Sequence, residues 1–112
     1  MITIAYSSSF AKEFKRLARK YPSLESDLDA LEAALQTNPE LGESLGASLR
    51  KVRMAVSAKH AGKRGGARVI TLNCLAVGTE EGKLVLLAIY DKSEAETITT
   101  KDLRRLAKDL GY

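Results

Sequence analysis

The sequence predicts an α+β fold: an N-terminal strand and an αα-hairpin, then a mostly antiparallel sheet and a C-terminal helix. Three observations lead there. Apolar residues between Phe10 and Leu35 recur at helical spacing, and those from Leu49 onward alternate with period 2. A glycine-bearing connection, Leu41 to Ser48, separates the two regimes. With 112 residues and 45% apolar content, the chain suffices for one packed core, so a single domain spanning residues 1–112 is expected.

Taken in order, Ile2, Ile4 and Tyr6 fall on one side of a short strand, and Ser7, Ser8 and Ser9 supply helix caps. Phe10, Phe14, Leu17 and Tyr21 follow at spacings of 4, 3 and 4, which aligns them on one helix face, with Lys12, Lys15, Arg16, Arg19 and Lys20 around the rest. Pro22 ends that helix and suits the start of the next. Leu24, Leu28, Leu31 and Leu35 repeat the spacing until Asn38-Pro39 stops it, so the two helices form a hairpin. In Leu49 to Val56 the residues Val52, Met54 and Val56 point one way and Lys51 and Arg53 the other. The glycines of Ser57 to Gly66 exclude a strand interior and predict a long mobile loop. Ala67 to Val77 and Lys83 to Tyr90 read as a hairpin around Gly78 to Gly82, and the second of these strands, apolar on both faces, is expected at the centre. Thr99 and Asp102 form a capping box for a final helix carrying Leu103, Leu106 and Leu110. The helices are expected on one face of the sheet, leaving the other partly open.

Charge is distributed unevenly. Between Glu43 and Glu80 the chain has no acidic residue, yet it contains Arg50, Lys51, Arg53, Lys59, Lys63, Arg64 and Arg68. That window carries +7 and the rest of the chain −3, which together make the net +4. Such a field concentrates polyanions, and nucleic acid is the first partner to consider. No apolar run nears the ~20 residues of a membrane span, and Met1 to Tyr6 lacks the features of a signal peptide, so a soluble cytoplasmic protein is expected, without a membrane partner. One cysteine, Cys74, and one histidine, His60, are too few for a zinc site, and neither metal nor cofactor is expected. Cys74 reads as core filling.

If the strands are neighbours, Lys51, Arg53, Arg68, Tyr90 and Lys92 converge on one concave surface, with Lys59, His60, Lys63 and Arg64 held above it by the loop and Arg50 beside it. Such a cluster suits metal-independent RNA cleavage. Attack of a 2′-OH on the adjacent phosphate needs a proton acceptor, a donor for the 5′-oxygen, and positive charge where the phosphorane builds negative charge. Arginine meets the last need through planar paired donors, and a lysine crowded by cations has its pKa lowered toward proton transfer. Tyr90 or His60 can also donate or accept, and the residues alone do not rank them. A plain solvated face and, for Tyr90, a core position are the competing readings.

The stretches Leu49-Arg50-Lys51-Val52-Arg53-Met54-Ala55, Lys59 to Ile70, and Leu86 to Glu94 together resemble toxins of the RelE/ParE superfamily, closest to its HigB-like RelE branch, over nearly the whole chain. The resemblance implies a RelE-like fold and a type II toxin: a ribosome-dependent endoribonuclease that cuts mRNA in the A site and is silenced by a cognate antitoxin. It assigns Lys51 and Arg53 to the basic positions of the second strand of that fold, Arg68 to the arginine after the loop, and Lys92 to the basic position after the last strand. The chain departs from the founding branch at Ile98 or Thr99, where that branch has a tyrosine, and at His60 and Ala61, which interrupt an alternation of Lys and Gly. The alternatives are a ParE-like inhibitor of DNA gyrase and a catalytically inactive module that binds nucleic acid or antitoxin.

Overall fold

The computed structural model describes residues 2–46, 48–60, 62–63, 65–74, 82–94 and 100–109. The elements run β1 (Thr3–Tyr6), α1 (Ser8–Lys20), α2 (Leu24–Thr37), β2 (Glu43–Gly46), β3 (Leu49–Met54), a 3₁₀ turn (Ser57–Lys59), β4 (Ala67–Asn73), β5 (Lys83–Asp91) and α3 (Thr100–Asp109). Among the described residues this is an α+β domain with a five-stranded sheet in the order β1-β5-β4-β3-β2. β1 pairs parallel to β5, and every other pairing is antiparallel. No described helix is long and apolar enough to cross a membrane.

β2 was not expected. Glu43-Ser44-Leu45-Gly46 has one apolar residue and no alternation, so nothing in its pattern marks a strand; its pairing with Lys51, Arg50 and Leu49 creates it. Gly42 makes that entry possible. Its φ is +91°, and a Cβ there would stand 2.3 Å from the Lys51 carbonyl oxygen.

The helices divide between the two faces of the sheet, contrary to the expectation that all three share one. α1 and α2 cover the face formed by Val52, Met54, Ala67, Val69, Leu84, Leu86 and Ile89, burying Phe10, Leu17, Leu24, Leu28, Leu31 and Leu35 against it. On the other face Leu103 of α3 packs with Leu49, Ile70, Leu72, Val85, Leu87, Ala88 and Tyr90. β5, buried on both sides, has no polar face to expose, and a helix shields its second apolar side. The proposed cap residue Thr99 and the side chains of Leu106 and Leu110 lie outside the described residues, as does most of the predicted turn at Gly78 to Gly82.

A bulge sets the parity of β5. Ile70 pairs with Ala88 and Thr71 with Leu86, so Leu87 is the extra residue. Leu84 and Leu86 therefore share a face with Ile89, while Val85 and Leu87 share the other with Ala88 and Tyr90. Ser7 anchors the same point. Its hydroxyl donates to the Leu87 carbonyl at 2.6 Å and accepts from the Phe10 amide at 2.9 Å, capping α1 and fixing it to the bulge at once.

Candidate nucleic-acid interface

The strand register assembles the predicted cluster. Arg53 is the partner of Arg68, and Arg68 is the partner of Tyr90, so three of the predicted site residues form one cross-strand row over β3, β4 and β5. Directly opposed side chains stand roughly 5 Å apart at Cβ. Lys51 lies two residues from Arg53 and thus projects from the same face, with the Ile70–Ala88 row beneath it. α3 covers the sheet on the Leu72 and Val85 side of this face, and Arg53 remains exposed.

The row is graded in burial. Arg68, at its centre, retains only 4% of its surface. Its Nη1 donates to the carbonyls of Lys63 at 3.1 Å and Ala67 at 3.2 Å, which ties the glycine loop to the sheet. Tyr90 is 6% exposed, and burial pushes its phenol above the ordinary value while the Arg68 charge pulls it back in part. At neutral pH Tyr90 is therefore a proton donor. Arg53 is open to solvent, with no carboxylate within ion-pair distance among the described residues. Lys92 follows Tyr90 in an exposed turn whose amide donates to Gly66 O at 3.2 Å, so it stands at the same end of the sheet as Arg68.

The stretch that lacks acids in sequence does not lack them in space. β2 brings Glu43 opposite Lys51, 3.6 Å from its Nζ. Lys59 does not project over the sheet as expected. It reaches Asp91 at 2.7 Å, beneath a carboxylate that also accepts from the Tyr21 hydroxyl at 2.5 Å and from Ser93. Burial would raise the Asp91 carboxyl, but these hydrogen bonds outweigh it and hold Asp91 well below the usual carboxylate range. Arg50, of opposite parity to Lys51, donates to the carbonyls of Leu41 at 3.2 Å and Gly42 at 2.8 Å, securing the approach to β2.

Among the described residues, both ends of the loop between β3 and β4 are anchored, where a long mobile loop was expected. Asp27 of α2 accepts from the Ser57 amide and hydroxyl, and Ser23 Oγ accepts from the Ala58 amide. At the far end Gly66 packs so closely that a Cβ would stand 2.1 Å from Met54 O. His60, exposed with φ +56°, closes the 3₁₀ turn, Lys63 is exposed, and Arg64 lies outside the described residues. Lys63 nonetheless meets Lys51 and Arg53 at a groove along the outer edge of β3, where β2 stops, with Ala30, Leu31 and Ala34 of α2 as its apolar wall. Cys74 follows β4, partly buried against the second core cluster.

Sequence reasoning missed Glu43, Asp91 and Tyr21. The first could have been found only by locating β2; the other two sit on the α1 and α2 side of the sheet and meet Lys59 through tertiary packing alone. No protein-family model matches the chain, and no curated protein matches it.

Proposed function

We propose that this protein is a metal-independent endoribonuclease of the RelE-like type II toxins, cutting mRNA on the ribosome. One observation carries the reading: the cross-strand pair Arg53–Arg68 with Tyr90 beside it. Like charges placed directly opposite on a sheet are destabilising, and the hydrogen bonds of Arg68 to the Lys63 and Ala67 carbonyls account for Arg68 but not for a second cation opposite it at Arg53, whereas a phosphate above the two guanidinium groups relieves the repulsion. The resemblance noted in the sequence adds the ribosome and a cognate antitoxin as partners.

The chemistry follows from the grading. The 2′-oxygen forms a bond to the adjacent phosphorus as its proton passes to solvent water, and Lys51, paired with Glu43 on the same face, adds positive charge beside the phosphate. Arg53 contributes exposed donors to the phosphorane oxygens, and Arg68 contributes charge from below. The bond from phosphorus to the 5′-oxygen then breaks, and the leaving oxygen takes a proton from Tyr90. The products are a 2′,3′-cyclic phosphate and a 5′-hydroxyl. Lys63 and Lys92, exposed at the margins, hold neighbouring phosphates, and the groove beside α2 accepts an unstacked nucleotide.

Inducible expression followed by mapping of mRNA 5′ ends tests this. New ends inside coding regions, in register with codons, are expected for the wild type and should disappear for Arg53→Gln. Growth arrest with DNA-damage signalling and no new ends would instead indicate a gyrase inhibitor. A second reading, a binding module without catalysis, draws on the near-complete burial of Arg68, which leaves it little surface to offer a substrate. RNA binding on translating ribosomes with no cut would select it.

A further inference from the structure

α1 carries a second cationic surface, on the side of the sheet opposite Arg53 and Tyr90. Its inward residues Phe10 and Leu17 are buried in the core, and Lys12, Lys15, Arg16, Arg19 and Lys20 are all exposed. Two of the five are occupied. Arg16 bonds Glu13 and, at 3.0 Å, Glu94, while Lys20 lies 5.3 Å from the centre of the Tyr21 ring and 3.8 Å from Asp91. Lys12, Lys15 and Arg19 have no carboxylate within ion-pair distance among the described residues. Their spacing of three and then four residues puts them in one row over two turns, about 10 Å long at 1.5 Å per residue. The row flanks a shallow depression lined also by the Glu13–Arg16 ion pair and by Ser8 and Ala11, whose small side chains let a polymer backbone come close.

We infer that the Lys12–Lys15–Arg19 row is a docking surface for the phosphate backbone of double-stranded RNA. Three features narrow the partner. The row holds no aromatic side chain: Phe10 and Phe14 pack against the core, and the half-exposed Tyr6 stacks on Phe10 and donates its hydroxyl to Glu32 of α2, so no base-stacking platform of the kind single strands require lies along the row. Its three polar groups are cations suited to phosphates, and in an A-form duplex the deep, narrow major groove keeps base edges out of their reach, so contact is by charge and shape. Finally, α2 beside it bears Glu25, Asp29 and Glu32, which repel a polyanion and confine it to the α1 side. The choice of RNA over DNA rests on the function proposed above. The protein then has two RNA-binding faces, one for a flexible substrate strand and one for a structured helix.

The test is binding of a 20-base-pair RNA duplex, followed by fluorescence anisotropy between 50 and 200 mM salt, with a DNA duplex of the same sequence alongside. For K12Q/K15Q/R19Q, affinity at 100 mM salt should fall at least tenfold, and the slope of log K against log[salt] should lose about 2.7, three contacts at roughly 0.9 each. Thermal melting confirms that this exposed triple variant folds. Arg104→Gln, at an exposed cation of α3, should keep duplex affinity within twofold. An unchanged slope in the triple variant, or a wild type that binds no duplex, overturns the inference, and equal binding of the DNA duplex overturns the RNA assignment. Loss of cleavage with duplex binding intact would sink the proposed reaction and leave this surface standing.

Discussion

Asp91 illustrates how one side chain can reassign another. Lys59 sits in the basic window and reads as an RNA ligand, yet a carboxylate 32 residues away takes it. Asp91 keeps 2% of its side-chain surface and Lys59 14%, so the pair is largely desolvated, and four further contacts from Tyr21, Ser93 and Lys20 complete its shell. Nothing local in the sequence announces this, because the partners come from three separated segments. Asp91→Asn should destabilise the fold by about 3 kcal/mol at pH 7, near the lower limit for breaking a buried pair because Lys59 keeps some access to water. The folded carboxyl lies below its unfolded value of about 3.9, so its stabilisation is fully present above that pH and is lost as pH falls toward the folded value. Urea unfolding should therefore show the gap between wild type and Asp91→Asn narrowing from about pH 4 downward. A gap that stays constant to pH 2 would mean that charge is not what Asp91 contributes.

Among the elements, those with strong periodicity were legible and those made by tertiary context were not. The Phe10, Phe14, Leu17 row and the Leu24 to Leu35 row became α1 and α2, and the alternation in β3 placed Lys51 and Arg53 outward as the period requires. The bulge at Leu87 was invisible because β5 is apolar on both faces, so slipping parity by one residue changes no hydropathy pattern. β2 was invisible for lack of apolar residues, and it changes the electrostatics of the site by bringing Glu43 to Lys51. Glu43 is 70% exposed, so the pair adds little to stability. Its effect falls on binding. Glu43→Gln should leave the melting temperature within about a degree while single-stranded RNA binds more tightly. Anisotropy titrations should show a salt slope steeper by about 0.7, one further phosphate contact. Unchanged affinity and slope would place Lys51 outside the RNA path.

At the scale of the whole molecule, the sheet separates two tasks. One face, under α1 and α2, supplies most of the core, and the other exposes the Arg53 end while α3 closes the rest. That cations share a surface was an expectation resting on side-chain parity, which is local, and on strand adjacency, which is not, and the register places Arg53, Arg68 and Tyr90 in one row. The sequence could not show that Arg68 would be buried at the centre of the row, because burial depends on the loop carbonyl of Lys63 folding over it. The central claim is that Arg53, Arg68 and Tyr90 act together on a phosphodiester. The most direct measurement is to incubate the purified protein with ribosomes stalled on a defined mRNA and determine the chemistry of the new ends. The account predicts a 2′,3′-cyclic phosphate and a 5′-hydroxyl at one A-site position, with the rate lowered on the order of a hundredfold by Tyr90→Phe. Ends bearing a 5′-phosphate, or a Tyr90→Phe variant as fast as the wild type, would contradict it.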